Sequence, residues 1–240
     1  MTKKLIFATS LLSASLFAAT DAQIIDYLKT QIPVPTIKID VTSRVAIDDI
    51  KGMEYVSVNI SDGARIQKLS IFTQGDLIFP DVISVNGGSI KEKLDKQKFV
   101  KELSNLYKKE DKQNILVLGN DPKKETLVKF TDPECPFCGK EVEVIEEKLK
   151  TYNLKYIFTP VHDKSSLEKS ILIYKQAKAA KTIDEKIKIV KKYFSAEVDA
   201  KVTDEEIAKV EKTRKKYFAA GLKGVPFYIN EKELLPDLEN

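Results

Sequence analysis

The two cysteines of this 240-residue chain are separated by two residues, in the segment Cys135-Pro-Phe-Cys138. An apolar run, Thr126 to Thr131, precedes them and a helical pattern follows. This order places Cys135 at a helix N-terminus, where the helix dipole and free backbone N–H groups favour a thiolate. Cys138, one turn into the helix, is expected to be less exposed and protonated. The spacing therefore predicts reversible thiol–disulfide exchange.

A metal site is the alternative interpretation of two cysteines at this spacing. A zinc ion needs about four ligands, and the chain has a single histidine, His162, to add to the pair. We therefore predict no metal, and no cofactor beyond the redox-active disulfide Cys135–Cys138. His162 follows a predicted strand, so we interpret it as a surface or interface side chain rather than a catalytic one.

The N-terminus has the form of a secretory signal peptide over residues 1–22. Lys3 and Lys4 precede an apolar run of about a dozen residues, and small and polar residues follow that run. The run is too short to span a bilayer, which takes roughly 20 apolar residues, and no later segment is long enough. We therefore expect an exported, soluble protein whose mature chain begins near Ala19 or Gln23.

The cysteine count, hydrophobic content and net charge of the chain argue against some classes of protein. Both cysteines belong to one motif, so the chain does not build a framework of structural disulfides. With 42% hydrophobic residues it can bury a core. Its net charge of +4 comes from lysine and acidic residues mixed along helical faces, without a basic block interleaved with aromatic residues. Nucleic-acid binding is therefore not predicted.

Residues 23–86 are predicted to form a small α+β unit. A helix over Asp21–Gln31 should stop before the prolines that follow it, because proline cannot continue a helix. Alternating apolar residues and Gly-containing turns then indicate antiparallel hairpins. The predicted strands are Ile37–Val41, Val56–Ile60, Ile66–Phe72 and Leu77–Phe79.

Residues 87–113 are predicted to form a helical linker. Ser89 can cap a helix that runs to about Lys112 and carries an apolar stripe among many lysines. A helix of about 22 residues spans about 33 Å. We expect it to act as a rigid spacer between two globular units.

Residues 114–240 are predicted to form strands and helices in the order β-β-α-β, followed by a group of helices and then two more strands. The helix that Cys135 opens is expected to reach about Tyr152. Three helices over residues 165–221 each begin with a capping box, and the last ends at Gly221. The capping boxes are Ser165 to Glu168, Thr182 to Glu185 and Thr203 to Glu206. The predicted strands are Ile115–Leu118, Leu127–Phe130, Leu154–Val161, Val225–Ile229 and Leu234–Leu235. This order describes a thioredoxin-like domain with a helical insertion.

The stretch Val128–Cys138, with Gly224-Val225-Pro226 further on, resembles the bacterial periplasmic DsbC/DsbG thiol:disulfide interchange proteins. The resemblance implies an α+β N-terminal dimerisation domain, a helical linker and a C-terminal α/β thioredoxin-like domain with an α-helical insertion. It also implies that Cys135 attacks the substrate, that Cys138 resolves the mixed disulfide, and that Pro226 is cis.

Four residues are assigned to substrate binding. A cis proline at position 226 would turn the backbone N–H and C=O of the preceding residue toward an incoming peptide, which could pair as an added strand. An ordinary proline at the start of a strand is the alternative. The assigned residues are Val225, Pro226, Pro136 and Phe137.

Two features depart from the pattern of this family. Val225 stands where the family's isomerases usually carry Thr, and in this it resembles the DsbA oxidases. The chain also ends at Asn240, soon after the last predicted strand. The helix that closes a thioredoxin-like sheet is therefore expected to be missing or vestigial, so either the sequence is truncated or another element covers that face.

Three charged residues precede or flank the motif. Lys129 stands six residues before Cys135, where thioredoxins place a buried carboxylate that accepts protons. A charged lysine cannot act as that base, although it could favour the thiolate electrostatically. A solvated lysine on an edge strand is the alternative. For Asp132 and Glu134 we expect local turn contacts without a catalytic role.

Together these inferences predict a periplasmic, homodimeric disulfide isomerase that corrects wrong disulfides in exported proteins. Isomerisation requires a reduced Cys135, so a DsbD-like membrane thiol reductase is the expected recycling partner, with an oxidase as the alternative partner. Two other functions stay open. One is a net dithiol oxidase with a DsbA-like role, which Val225 favours. The other is a periplasmic chaperone that holds unfolded chains in an apolar cleft.

Overall fold

The computed structural model of the chain describes residues 18–63 and 66–236. They form two compact units, one ending at Lys96 and the other beginning at Gln97. Most of the predicted signal peptide, residues 1–17, lies outside the described part of the chain. Among the described residues, no helix has the length and apolar character needed to cross a bilayer.

The first unit is an antiparallel sheet with one helix packed against it. This helix, α1 (Asp21–Gln31), has the predicted bounds and begins with a capping box formed by Thr20 and Gln23. The strands pair in the hairpin order β1-β2-β3-β4, as the alternation predicted. They are β1 Lys38–Ala46, β2 Met53–Ser61, β3 Ile66–Gln74 and β4 Leu77–Phe79. A two-residue ladder follows, formed by β5 Ile83–Ser84 and β6 Gly88–Ser89.

The N-terminal end of α1 is held by Arg44 on β1. The Arg44 guanidinium pairs with Asp21 at 2.6 Å and donates to the carbonyl of Ala19 at 2.7 Å. The expected signal-peptide boundary at residue 22 therefore lies inside the first turn of α1. A mature chain that begins at Ala19 keeps both contacts, whereas one that begins at Gln23 keeps neither.

The next helix, α2 (Ile90–Tyr107), begins where the sequence predicted and ends earlier. Ser89 caps it by accepting a hydrogen bond from the backbone N–H of Glu92 at 2.9 Å. The helix stops at Tyr107 rather than at Lys112, and a short 3-10 turn at Lys112–Asn114 follows. The expected helix of about 22 residues is thus 18 residues long.

Side chains of α2 belong to the cores of both units. In the first unit, Leu94 packs against the cluster that contains Tyr55. In the second unit, Leu103 is fully buried and Tyr107 nearly so. The helix that the sequence assigned to a spacer therefore contributes packing to each unit. These contacts explain the apolar stripe of α2, because a helix surrounded by water would expose such a stripe to solvent.

The second unit contains a mixed four-stranded sheet in the order β10-β8-β9-β7. Strands β8 and β9 are parallel, and β7 and β10 run antiparallel to their neighbours. The strands are β7 Leu116–Leu118, β8 Glu125–Thr131, β9 Tyr152–Phe158 and β10 Phe227–Asn230. The helices are α3 Pro136–Glu143, α4 Ile145–Thr151, α5 Lys164–Ala179, α6 Ile183–Ser195, α7 Asp204–Ala220 and α8 Glu231–Leu234.

Two predicted elements differ in this unit. The helix expected from Cys135 to about Tyr152 is divided into α3 and α4, with Val144 between them. The final strand predicted at Leu234–Leu235 is wrong, because a single helical turn, α8, occupies this segment. Asn230 caps that turn by accepting from the backbone N–H of Lys232, and Leu234 points into the core with no exposed surface.

Helices cover both faces of this sheet. One face packs against Val142 of α3, Ile145 of α4, and residues of α5 and α6. The other face, presented by Val128 and Phe130 of β8, packs against Tyr217 of α7 and against α2 and α8. No closing helix was predicted for this face. It is covered by α7 and α8 together with a helix that precedes all four strands in the chain. That helix is α2, which contributes its second half.

Two of the three helices over residues 164–220 begin at predicted capping boxes, and the last ends at the predicted glycine. Thr182 and Thr203 form complete capping boxes at the starts of α6 and α7, as predicted. Gly221 ends α7 with φ of 115°, a left-handed conformation that glycine adopts without strain. The capping box predicted at Ser165 is wrong. Helix α5 begins after Asp163, and the Ser165 hydroxyl donates instead to Glu134 at 2.7 Å.

A pair of fragments tests the role of α2 in the second unit. A fragment of residues 90–240 keeps Leu103, Tyr107 and the buried hydrogen bond from the Ser104 hydroxyl to the carbonyl of Leu234. A fragment of residues 114–240 loses all three. Removing one buried leucine side chain alone costs about 2–5 kcal/mol, a large part of a typical domain stability of about 5–15 kcal/mol. We expect cooperative urea unfolding, followed by circular dichroism, for the longer fragment and none for the shorter. Equal stability of the two would contradict the packing role of α2.

Candidate active site

The cysteine pair lies at the start of α3, as the sequence predicted. Cys135 is the N-cap residue of this helix, and Pro136 fits its first position because a backbone N–H is not needed there. Both cysteines are free thiols. Cys135 is 6% exposed and Cys138 is fully buried. The relative exposure of the two thiols therefore agrees with the prediction, although even Cys135 has little accessible surface.

The loop before β10 brings Val225 next to Cys135. The peptide bond between Val225 and Pro226 is cis, as predicted. The Cys135 thiol donates to the carbonyl of Val225 at 3.7 Å, a long contact of the kind that sulfur makes. Residues 90 positions apart in the chain thus meet at one place. The backbone of Val225 is within reach of any group that reacts at the Cys135 sulfur.

The two residues between the cysteines face the solvent. Pro136 is exposed, and the ring of Phe137 is 67% exposed, which is high for a side chain of this size. The ammonium of Lys140 lies 5.9 Å from the centre of the Phe137 ring. An exposed aromatic ring beside a thiol can provide an apolar contact for a bound chain.

Cys138 is held as a thiol by its surroundings. Burial raises its pKa to about 12, because a thiolate loses hydration in an apolar site. Near neutral pH this sulfur therefore carries its proton, as the sequence predicted. A proton acceptor is needed before Cys138 can act as a nucleophile, since the thiolate is the reactive form.

Lys129 lies on the central strand β8 and is fully buried. Its amine makes no hydrogen bond among the described residues. It lies 4.9 Å from the ring centre of Tyr156 and 5.3 Å from that of Tyr228, on the two flanking strands. Burial lowers the pKa of Lys129 to about 8, and the nearby Cys138 raises it in part. The interpretation as a solvated edge-strand lysine is wrong, because β8 has a neighbour on each side.

Asp132 is fully buried and forms the centre of a hydrogen-bond network. Its Oδ2 accepts from the backbone N–H groups of Val161 and His162, at 2.8 and 3.1 Å, and lies 2.7 Å from His162 Nδ1. Its Oδ1 accepts from the backbone N–H of Glu134 at 2.8 Å and from the Ser166 hydroxyl. Burial alone would raise the pKa of Asp132, but these hydrogen bonds lower it overall.

Asp132 and Glu134 therefore do more than form the local turn that the sequence predicted. Glu134 accepts from the Ser165 hydroxyl and pairs with Lys169 at 3.0 Å, so both carboxylates fix the start of α5. Their α5 partners are more than 30 positions away in the chain. An acidic residue directly after a buried strand was the sequence signal for this network. The sequence could not name its partners.

His162 has a partly exposed ring, in agreement with the predicted surface position. Its backbone and its Nδ1 both contact Asp132. Within residues 18–63 and 66–236, the side chains of His, Cys, Asp and Glu form no group of three that could hold a metal ion.

Comparisons with known proteins bear on the fold. No protein-family model matches the chain, and no curated protein sequence matches it. Among solved structures it is similar to DsbG of Helicobacter pylori, with 21% identity over 87% of this chain and 99% of that protein, at a TM-score of 0.52.

Two further solved structures match less of this chain. One is α-DsbA2 of Wolbachia pipientis, with 17% identity over 58% of this chain and 86% of that protein, at a TM-score of 0.37. The other is a periplasmic thioredoxin-like protein from Salmonella enterica serovar Typhimurium, with 21% identity, coverages of 53% and 83%, and a TM-score of 0.34.

The likeness to H. pylori DsbG shows that this chain shares the fold of a DsbG protein, as the sequence resemblance predicted.

Proposed function

We propose that this chain is a thiol–disulfide oxidoreductase and that it isomerises wrong disulfides in exported proteins. One observation carries the proposal. Cys135 caps a helix and contacts the loop carbonyl of Val225, while Cys138 lies buried one turn further on. The arrangement supports the proposal because the reaction needs one thiol beside a peptide backbone and a second, covered thiol one turn away. The redox-active disulfide of Cys135 and Cys138 is the only cofactor that this chemistry requires.

The proposed reaction has two steps. The Cys135 thiolate attacks one sulfur of a substrate disulfide, forms a mixed disulfide and expels the other substrate sulfur as a thiolate. In the isomerase reaction, a different substrate thiolate then attacks the mixed disulfide and releases Cys135. In the reductase reaction, Cys138 attacks Cys135, expels the substrate thiolate and leaves the enzyme oxidised. The isomerase reaction thus leaves both cysteines of the enzyme as thiols. The reductase reaction transfers two electrons from the enzyme to the substrate and leaves the cysteines joined as a disulfide.

Substrate contacts are proposed at Val225, Pro226, Pro136 and Phe137. The backbone of Val225 would pair with an extended peptide as an added strand. The distance of 3.7 Å between the Cys135 sulfur and the Val225 carbonyl oxygen supports this assignment. The exposed ring of Phe137 offers an apolar surface to a bound chain. These contacts recognise backbone and apolar bulk, which suits an enzyme that meets many unfolded clients.

The proposed setting is the periplasm, reached through a signal peptide, with a homodimer formed by the first unit. Edge strands β1 and β4 carry the exposed apolar residues Val45 and Leu77, which support an interface there. A DsbD-like membrane thiol reductase would keep Cys135 reduced. The second candidate function is a net dithiol oxidase, recycled by an oxidase partner. It is favoured by Val225, which stands where isomerases of the resembled family usually carry Thr.

Refolding of a scrambled multi-disulfide protein tests the proposal. We expect the full chain to accelerate recovery of client activity about tenfold or more over Cys135→Ala, because reshuffling proceeds through the Cys135 mixed disulfide. The fragment of residues 90–240 should reduce small disulfides but reshuffle the protein client poorly, because it lacks the proposed dimerisation unit. Equal recovery with Cys135→Ala would contradict the isomerase assignment. Suppression of client aggregation that survives in Cys135→Ala would instead indicate a chaperone.

A further inference from the structure

The amine of Lys129 is placed on the same side of the sheet as the active-site helix. In β8, the side chain of Lys129 shares a face with Leu127, which packs in the cluster that contains Val142 of α3. Lys129 pairs in register with Tyr156 of β9 and with Tyr228 of β10. The amine lies near both of their rings, and the charge states of Lys129 and Cys138 influence each other.

A lysine in this position needs an explanation, because it is costly to fold. A buried ammonium without a paired anion or hydrogen bonds is among the least favourable groups in a protein core. Lys129 has no exposed surface and its amine has no hydrogen-bond partner among the described residues. An apolar side chain of similar length would fill the same volume without that cost. The amine is therefore a candidate for a chemical task.

We propose that the uncharged amine of Lys129 is the proton acceptor for the Cys138 thiol during resolution of the mixed disulfide. This inference rests on the proposed function. Cys138, whose charge acts on the pKa of Lys129, is a buried thiol that must lose its proton to react. The buried amine is a base that gains a favourable counter-charge when it takes that proton, because a thiolate and an ammonium attract each other strongly in a site of low polarity.

Resolution moves one proton and exchanges one S–S bond for another. The Cys138 proton moves to Lys129 Nζ, and the electron pair left on the Cys138 sulfur forms a bond to the Cys135 sulfur. The bond between Cys135 and the substrate sulfur breaks, and the substrate leaves as a thiolate that takes a proton from water. Lys129 then returns its proton to solvent. In the reverse reaction, the Lys129 ammonium protonates Cys138 as the enzyme disulfide opens.

Charged groups around Lys129 set the pH range of this step. Burial is the largest influence and lowers the pKa of Lys129 to about 8. The charge of Lys148 on α4 also lowers this pKa. The negative charges of Cys138, Glu141 and Cys135 raise it. Glu141 is neutralised in part by Lys148 and by the hydroxyl of Tyr228, which donates to it at 2.6 Å. Near neutral pH a useful fraction of the amine is therefore uncharged, which a lysine in water would not provide.

The test separates the two sulfur steps in one stopped-flow experiment. Reduced full chain is mixed with 5,5′-dithiobis(2-nitrobenzoate), and release of the coloured thiolate is followed. Attack by Cys135 gives a first phase whose rate depends on reagent concentration. Resolution by Cys138 gives a second phase that does not. The second phase is measured from pH 6 to pH 10 (a range of about two units on each side of the proposed transition) for wild type, Lys129→Met and Lys155→Met.

For wild type we expect the second-phase rate to rise with pH and to level off above about pH 8, where the amine is uncharged. For Lys129→Met we expect a rate about tenfold to a hundredfold lower near neutral pH, and a rise that continues without levelling. The first phase should change by less than about threefold. Lys155→Met is the matched control, since this lysine lies on β9 and pairs with Glu231, and its second phase should follow wild type.

Two results would overturn the inference alone. One is a second phase in Lys129→Met with the rate and pH profile of wild type. The other needs no variant: a wild-type second phase that rises through pH 8 to pH 10 without levelling. A wild-type protein without any first phase would overturn the proposed function, and this inference with it. Circular dichroism confirms that Lys129→Met is folded, which we expect because it replaces a buried amine with an apolar chain of similar length.

Discussion

Replacement of Cys135 with alanine should reduce the rate of disulfide exchange by about 10³-fold or more, to the uncatalysed background. The physical reason is that, in the proposed reaction, this sulfur forms the bond with the substrate. Cys138 cannot substitute for it, because burial raises its pKa to about 12 and leaves it protonated and covered. Reduction of insulin in the presence of dithiothreitol, followed by turbidity, measures the loss.

Cys138→Ala is the matched control for this prediction. It removes the second of the two cysteines of the chain but leaves the attacking sulfur in place at the helix N-terminus. We expect this variant to perform the first attack at a rate close to that of wild type and then to stall as a mixed disulfide. Retention of more than about a tenth of wild-type insulin reduction by Cys135→Ala would contradict the assignment of the nucleophile.

Replacement of Asp132 with alanine should lower the free energy of unfolding of the second unit by roughly 3–5 kcal/mol. The carboxylate accepts hydrogen bonds from the backbone N–H groups of Glu134, Val161 and His162. Without it, several of these donors are left without an acceptor at the junction between the CxxC turn and α5. Asp163→Ala is the control, because this exposed residue makes no side-chain cap bond, and it should cost less than about 0.5 kcal/mol.

The same network predicts a dependence of stability on pH. The pKa of Asp132 is lowered in the folded state, whereas an unfolded aspartate titrates near ~3.9. As pH falls, the unfolded chain therefore binds this proton first. The contribution of Asp132 is complete above the unfolded pKa and is lost as pH falls through the folded one.

Urea unfolding of the 90–240 fragment, at neutral pH and at about pH 3, measures the free energy of unfolding of the second unit without a contribution from the first. We expect the stability difference between wild type and Asp132→Asn to narrow at the lower pH. The wild-type carboxylate then takes up a proton, in the unfolded chain first, whereas the asparagine is uncharged at both pH values. A difference that stays constant or grows would contradict the proposed ionisation of Asp132 in the folded state.

Local patterns allowed much of this fold to be predicted from sequence. The bounds of α1 follow from a helical pattern that ends at prolines, and the hairpins β1 to β4 follow from alternation broken by Gly-containing turns. Thr182 and Thr203 cap their helices through residues three positions on. The CxxC segment and the loop at Pro226 could also be predicted, because each has a characteristic short sequence. In all these cases the sequence signal itself lies within a short stretch of the chain.

The features that escaped prediction depend on partners far away in the chain. Leu103 of α2 packs in the core of the second unit, and no local pattern distinguishes such a stripe from that of a spacer. Ser165 has a complete capping pattern, yet its hydroxyl bonds to Glu134 because the turn before α3 lies beside it. For Lys129 the sequence leaves open a solvated edge-strand lysine or one that acts on the thiolate. Its place on a central strand depends on β10, from near the C-terminus, which pairs with β8.

Covalent trapping of a protein client tests whether Cys135 is the sulfur that bonds to substrates. Purified Cys138→Ala is incubated with a scrambled disulfide-bonded protein, quenched with acid and analysed by non-reducing electrophoresis and mass spectrometry. We expect an adduct linked through Cys135 that dithiothreitol cleaves, and no adduct with Cys135→Ala. Absence of the adduct in Cys138→Ala, or an equal amount formed through Cys138 in Cys135→Ala, would contradict this role of Cys135.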